Sequence, residues 1–300
     1  MPKLASALRL EWSLFEGAAS AWSAHNAQRL GAALAYYTIL SLAPLLLICA
    51  SIAGMVFGQN AVRGQIYWQI RAVAGHEGAA FVQDVLKSAT MHSASGIIAA
   101  IAGFLLLVLG ASGAFIELRD DLNFIWDVPP QQGSLIGGAL RYRLYSFGLV
   151  IGSGLLITLS LAANIAIQAI EQFASGYLPL PAVVFQAANF VITFIATTFL
   201  FGLIYTALPA RRVPWTDVVV GAIVTSILFA IGRLLVSLYL GHAAVGSLYG
   251  AAGSLVVLLV WIYYSSQIFL FGAEFTHVYS QRHGALKRER AVTIDTPARP

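Results

Sequence analysis

The sequence predicts an all-α, polytopic membrane protein: six transmembrane helices, an N-terminal interfacial helix and short helices on the outer surface. Two observations carry most of this. Apolar residues fill 59% of the 300 positions and charged residues only 10%, whereas about a quarter of the residues in ordinary soluble domains are charged. The apolar residues also lie in long unbroken runs rather than the alternating pattern of barrel strands, and ~20 such residues cross a hydrocarbon core as a helix. In lipid only helices and closed barrels satisfy every backbone N–H and C=O, so these runs read as helices. A third observation, the placement of Lys and Arg, sets the orientation.

Taken in order, residues 1–30 place Leu8, Trp12, Phe15 and Trp22 among Glu11, Glu16, Asn26 and Arg29, the pattern of a helix lying in the cytoplasmic interface. Lys3 and Arg9 are not followed by a short apolar core with a small-residue cleavage site, so no removable signal peptide is expected. The membrane domain, 31–280, is expected to hold spans near 31–57, 96–116, 144–170, 181–208, 215–240 and 254–279. Between the first two, Val62, Ile66, Ile70 and Val73 recur at helical spacing, and Phe81, Val82, Val85 and Leu86 follow the break at Gly75 and Gly78. This predicts a pair of short helices capping the outer mouth. The stretch from Gly241 to Gly246 is the turn between the fifth and sixth spans, and 281–300, basic and Pro-terminated, is expected to be a disordered cytoplasmic tail.

Alternating these spans puts Lys3, Arg9, Arg29, Arg119, Arg141, Arg143, Arg211, Arg212, Arg282, Lys287, Arg288, Arg290 and Arg299 on one side, and Arg63, Arg71 and Lys87 on the other. The positive-inside rule then makes both termini cytoplasmic, with a bacterial inner membrane as the expected location. The same distribution explains a pI near 9.3 without a nucleic-acid partner. Membrane lipids are the expected partners, together with a small solute not identified by the sequence; a homo-oligomer is compatible with it.

Candidate functional residues are the ionisable groups that interrupt apolar runs, because a charge in lipid must pair or face a cavity. Two qualify, Arg233 in the fifth span and Glu274 in the sixth. Arg233 reads either as an anion contact in an outward cavity or as a side chain snorkelling to the interface. Glu274 reads as a proton or cation site, or as a charge paired with Arg119, Arg211 or Arg212. Pro44 in the first span frees a backbone carbonyl and predicts a kink; Tyr36, Tyr37, Thr38 and Ser41 could satisfy the freed carbonyl or face a polar path. Tyr249, Gly250 and Gly253 belong to a glycine-rich opening of the sixth span, which suits a broken helix facing a cavity or a close helix crossing.

From Glu117 to Asp127 the sequence gathers four carboxylates, Glu117, Asp120, Asp121 and Asp127. They could gate the inner side or form local charge pairs; a Mg²⁺-dependent nuclease would need a convergent set of ligands that the sequence does not complete. The single cysteine, Cys49, excludes an intrachain disulfide and a Cys-based metal cage. His76, His92, His242, His277 and His283 repeat no metal-binding spacing. There is neither a phosphate-binding Gly-Lys-Ser/Thr loop nor a Gly-x-Ser-x-Gly elbow, so the expectation is a protein without metal, cofactor or catalytic residues.

Three stretches carry a family resemblance: Ala33 to Leu46, Glu117 to Pro129, and Tyr249-Gly250-Ala251-Ala252-Gly253-Ser254 through Gly272-Ala273-Glu274-Phe275-Thr276. Together they resemble, over about residues 20 to 280, the YihY/BrkB family of bacterial inner-membrane proteins. The resemblance implies a six-span membrane protein. That family has carried an older ribonuclease BN label and a virulence label, and the resemblance supplies no catalytic role for Glu274, Glu117, Asp120 or Asp127. The favoured reading is an inner-membrane permease or exporter of a small polar solute, anionic or lipid-linked. The alternatives are an envelope-organising structural protein and, below it, a membrane-bound ribonuclease.

Overall fold

The computed structural model describes residues 2–57, 64, 66–68, 70–71, 76, 78–84, 87, 110, 113–129, 182–211, 213–242 and 253–286. Among these residues all regular structure is helical. The named helices are α1 (Pro2–Ala24), α2 (Ala27–Phe57), α3 (Ala182–Ala207), α4 (Trp215–His242) and α5 (Gly253–Arg282). Within α3, α4 and α5, the stretches Gln186–Ala207, Trp215–Leu235 and Leu255–Arg282 are long and apolar enough to cross a bilayer. They coincide with the expected fourth, fifth and sixth spans, and α2 covers the expected first, beginning four residues earlier. The second span is described only at its end, and the third, 144–170, lies outside the described residues.

Short backbone devices set the helix boundaries. α1 ends at Asn26, whose φ of 52° is the left-handed conformation that Asn tolerates better than most residues. Its N–H donates to the Ser23 carbonyl at 3.1 Å, and its own carbonyl accepts from Arg29 to start α2. The helix described at 113–125 closes in the same way. Asp127 takes φ 52°, its N–H donates to Phe124 O, and Val128 N–H reaches back to Asn123 O, which is the Schellman pattern. Pro129 then prevents continuation.

The chain divides into two compact units. The first contains residues 1–22, 122–228 and 271–300. In it, Leu14 and Ala18 of α1 form a buried cluster with Phe275 of α5, flanked by Phe15, Val220, Val224, Phe271, Val278 and Tyr279. Of the apolar residues read as an interfacial face, Phe15 packs on this cluster. Trp12 stays exposed, with its indole N–H donating to Glu16.

The second unit contains residues 23–121 and 229–270. Its core is Leu258 and Trp261 of α5, packed by Leu42 of α2, Phe229 of α4, and Ile70 and Phe81 from the segment between the first two spans. α2 runs helically through Pro44. The hydroxyls expected to cover the carbonyl that proline frees are engaged elsewhere: Thr38 donates to Leu34 O at 2.7 Å and Ser41 to Thr38 O at 2.9 Å. Gly110 lies against the Ser41 backbone and Gly113 under the Tyr37 ring, so any larger residue there would push the second span off α2.

α4 inverts the usual amphipathic rule. Its exposed stripe is Val219, Ile223, Ile227, Ile231, Leu234 and Leu235, whereas Asp217, Thr225 and Ser226 are buried. α3 likewise exposes Val183, Val184, Phe190, Val191, Ile195 and Phe199. Apolar stripes outside and polar groups inside are what a hydrocarbon solvent selects.

Candidate functional site

The densest buried polar region lies in the first unit, where the early turns of α4 meet the late turns of α5. Gly221-Ala222-Ile223-Val224-Thr225 and Gly272-Ala273-Glu274-Phe275-Thr276 are both Gly-x-x-x-Thr segments, and the two pack reciprocally. Gly221 of α4 sits against the Thr276 hydroxyl of α5, and Gly272 of α5 against the Thr225 hydroxyl of α4. Each threonine donates to the carbonyl four residues back on its own helix, both at 2.7 Å: Thr225 to Gly221 and Thr276 to Gly272. Since the Thr225 proton is committed, Tyr205 of α3 must be the donor in its 3.1 Å bond to Thr225 Oγ1. Hydroxyls turned onto their own backbone, with glycine opposite, let two helices approach closely without leaving polar atoms in lipid.

Glu274, two residues from both Gly272 and Thr276 and therefore on the other side of α5 from them, is fully buried, as are Phe275 and Thr276. One turn further, buried His277 leans against Trp126 with ring centroids 5.1 Å apart. Its Nε2 accepts from the Gln281 amide at 2.9 Å and lies 3.7 Å from the Asp127 carboxylate. Asn123, one turn before Trp126, accepts from the Ala210 N–H at 2.8 Å through its side chain. The acidic loop and the final turns of α5, two of the stretches singled out in the sequence, thus converge through Trp126, Asp127 and His277.

Asp217, in the first turn of α4, fastens the end of α5. Its Oδ2 accepts from Ser280 at 2.6 Å and from the Ala285 N–H at 2.8 Å, and Gly284 lies directly against the carboxylate. A carboxylate belongs at a helix N-terminus, where the dipole is positive. The tail expected to begin at 281 is consequently held in place through Ala285, because Asp217 captures backbone that would otherwise be solvated; residues 287–300 lie outside the described ones.

The second unit holds most of the other sequence-predicted residues. Tyr36 is exposed and Tyr37 half-buried, their rings edge to face at 5.6 Å. Arg233 is half-buried beside the exposed Ile231, Leu234 and Leu235. Glu117 stands near Asp120 and buried Asp121, outside the expected span. Burial foremost, then the charges of Glu117 and Asp120, push the Asp121 carboxyl from 3.8 up to about 7. Burial also raises Asp120, with Arg119 opposing. Arg233 belongs to the second unit and Glu274 to the first. Pro44 lies within α2 and Gly253 begins α5, whereas Tyr249 and Gly250 lie outside the described residues. Among the described residues, no three His, Cys, Asp or Glu side chains converge to hold a metal ion.

Asp217, His277, Thr225 and Tyr205 were not singled out by the sequence. The available signal was the repeated Gly-x-x-x-Thr spacing, with Glu274 inside the second copy and Asp217 four residues before the first.

The conserved-family profile described as "Virulence factor BrkB" matches residues 18–294. The chain belongs to the BrkB family. That match takes in the clasp, the acidic loop and the Asp217 anchor alike. This BrkB chain is similar to a protein called UPF0761 membrane protein from Pseudoalteromonas atlantica, with 26% identity covering 87% of this chain and 84% of the relative. It is similar also to UPF0761 membrane proteins of Aggregatibacter aphrophilus, 25% identical over 95% and 98% of the two chains, and of Mannheimia succiniciproducens, 29% identical over 82% of each. No solved structure matches the chain. The names of these relatives state a membrane location and no activity, so the chemistry rests on the buried residues of the chain itself.

Proposed function

We propose that this BrkB-family protein is an inner-membrane permease or exporter with cytoplasmic termini, moving a small polar solute with Glu274 as its proton-binding group. The observation that carries this reading is the complete burial of Glu274 in an apolar, membrane-length helix, one turn before the buried His277. A charged carboxylate within a membrane span is costly unless a partner compensates it, which makes intramembrane acids rare outside proton and ion paths. A neutral, protonated Glu274 avoids that cost, so loading and release of a proton would be linked to uncovering of its face of α5. Asp127 and His277 stand where the acidic loop meets α5 and would form the inner gate.

A buried acid favours a solute that travels with or against a proton. It gives no contact suited to a bare anion, and Arg233, half-buried on a helix stripe otherwise apolar, suits snorkelling to an interface better than solute binding. An envelope-organising scaffold is the second reading, favoured by one observation: the clasp hydroxyls are already bonded, Thr225 and Thr276 to their own helix backbones and Tyr205 to Thr225, as a static helix crossing requires.

The deciding experiment is proton flux in proteoliposomes containing a pH-sensitive dye, screened with pools of small polar metabolites. At least a tenfold loss of solute-dependent proton movement is expected in Glu274→Gln, with the melting temperature in detergent retained. Solute movement undiminished in that variant would overturn the proton role, and its absence from wild-type protein would favour the scaffold.

A further inference from the structure

The segment between the first two spans has two unlike faces. Trp68, Arg71, His76, Asp84 and Lys87 are exposed, with the Arg71 guanidinium 5.0 Å over the Trp68 ring and the Tyr67 hydroxyl bonded to His76 Nδ1 at 2.9 Å. The opposite face is buried: Ala79 and Val82 are wholly inaccessible, and Ile70 and Phe81 pack on the Leu258 and Trp261 core. A cap lying over the mouth of a helix bundle would touch helix ends. These side chains reach further. Trp261 is the ninth residue of α5, roughly 12 Å along it at 1.5 Å per residue. The other two contributors to the same core, Leu42 and Phe229, lie near the middle of α2 and α4.

We infer that the described residues between 66 and 84 act as a plug: Ile70 and Phe81 cover the Leu258 and Trp261 core against water from the expected outer side, and must withdraw for solute to pass. Helical turns suit this position, because backbone at membrane depth is tolerated only where it is hydrogen-bonded or buried in protein. The exposed Trp68 and Arg71 fix how far the plug can sink, since an indole and a guanidinium remain at the membrane–water interface. The gate rests on the permease reading, whereas the plug is defined by packing alone.

The test exploits the single native cysteine. In a Cys49→Ser background, Leu42→Cys reports water access to the α2 side of the core through its reaction with a membrane-impermeant maleimide added to intact cells. Slow labelling is expected with the plug in place, rising at least tenfold when Ile70→Ala and Phe81→Ala are combined. Trp68→Cys should label quickly in either background. Unchanged labelling of Leu42→Cys in the double variant, in protein whose melting temperature shows it folded, would overturn the plug.

Movement is tested by pairing Phe81→Cys with Trp261→Cys, and Ile70→Cys with Leu258→Cys. At least one pair should cross-link on mild oxidation, lower solute flux at least tenfold and recover on reduction. Equal flux with the cross-link intact would overturn the gate. A protein with no solute flux at all, yet showing the expected Leu42→Cys labelling, would refute the permease and with it the gate, leaving the plug as a seal.

Discussion

At the residue scale, the side chains that matter most are polar groups held where water is scarce, and their visibility in the sequence depended on their neighbours. Glu274 stood out because it interrupts an apolar run, and it is fully buried. His277 and Asp217 did not, since each lies near a helix end, where polar residues are ordinary; their roles depend on partners far away, Trp126 and Asp127 for one, Ser280 and Ala285 for the other. Asp121 is a similar case, one of four acids in the loop, but buried to 3% exposure. With its carboxyl raised from 3.8 to about 7, the folded state binds more protons than the unfolded state between those values, so stability falls as pH rises from about 4 to about 7. Asp121→Asn removes the group that must ionise. Its melting temperature in detergent should therefore exceed that of the wild type at pH 8, the gap narrowing as pH falls toward 4. A gap independent of pH, or one that widens on acidification, would show that burial does not govern this carboxyl.

At the scale of the element, the helices were legible and the way they cross was not. Apolar runs locate α2, α3, α4 and α5 to within a few residues because length and hydropathy are properties of one segment. A crossing is a property of two. Small residues four apart are common in membrane helices, so Gly221 and Gly272 gain meaning only when each is found opposite the other helix's threonine. Pro44 illustrates the converse: its effect was anticipated from local rules, yet Thr38 and Ser41 bond one turn earlier than those rules suggested. The clasp makes a direct prediction. A methyl group at Gly221 would strike the Thr276 hydroxyl, and one at Gly272 would strike Thr225 and approach Tyr205. Gly221→Ala and Gly272→Ala should each destabilise the folded protein by about 1–3 kcal/mol, as overpacking of a close-packed interior does. Gly64→Ala, at a position with nothing within 4 Å, should not. Equilibrium unfolding in mixed micelles measures the difference. Partial rescue of Gly221→Ala by Thr276→Ala, which removes the hydroxyl that the added methyl would strike, would tie the cost to that contact.

At the scale of the whole molecule, orientation is decided by charge rather than by packing. Insertion leaves Lys and Arg preferentially on the cytoplasmic side, and the expected spans divide them into a basic group of thirteen, including Arg282, Lys287, Arg288 and Arg290, and a sparse group of Arg63, Arg71 and Lys87. The excess of basic residues around both ends of the chain predicts that both ends stay inside. In a Cys49→Ser background, His76→Cys should react with a membrane-impermeant maleimide on intact cells, because His76 is exposed. His283→Cys, equally exposed but beside the Asp217 anchor at the end of α5, should react only after the membrane is permeabilised. Reaction of both in intact cells would mean an even number of crossings between them, and the reverse pattern would mean that the charge asymmetry does not set the topology. The expected pattern needs an odd number of crossings between residues 76 and 283, five on the present assignment, so a third position is required to count them. Arg211→Cys, between α3 and α4 and half-buried, supplies it: protection in intact cells places three crossings, or one, before it and two after it. Labelling there from outside would mean an even number of crossings between residues 76 and 211 and an odd number between 211 and 283.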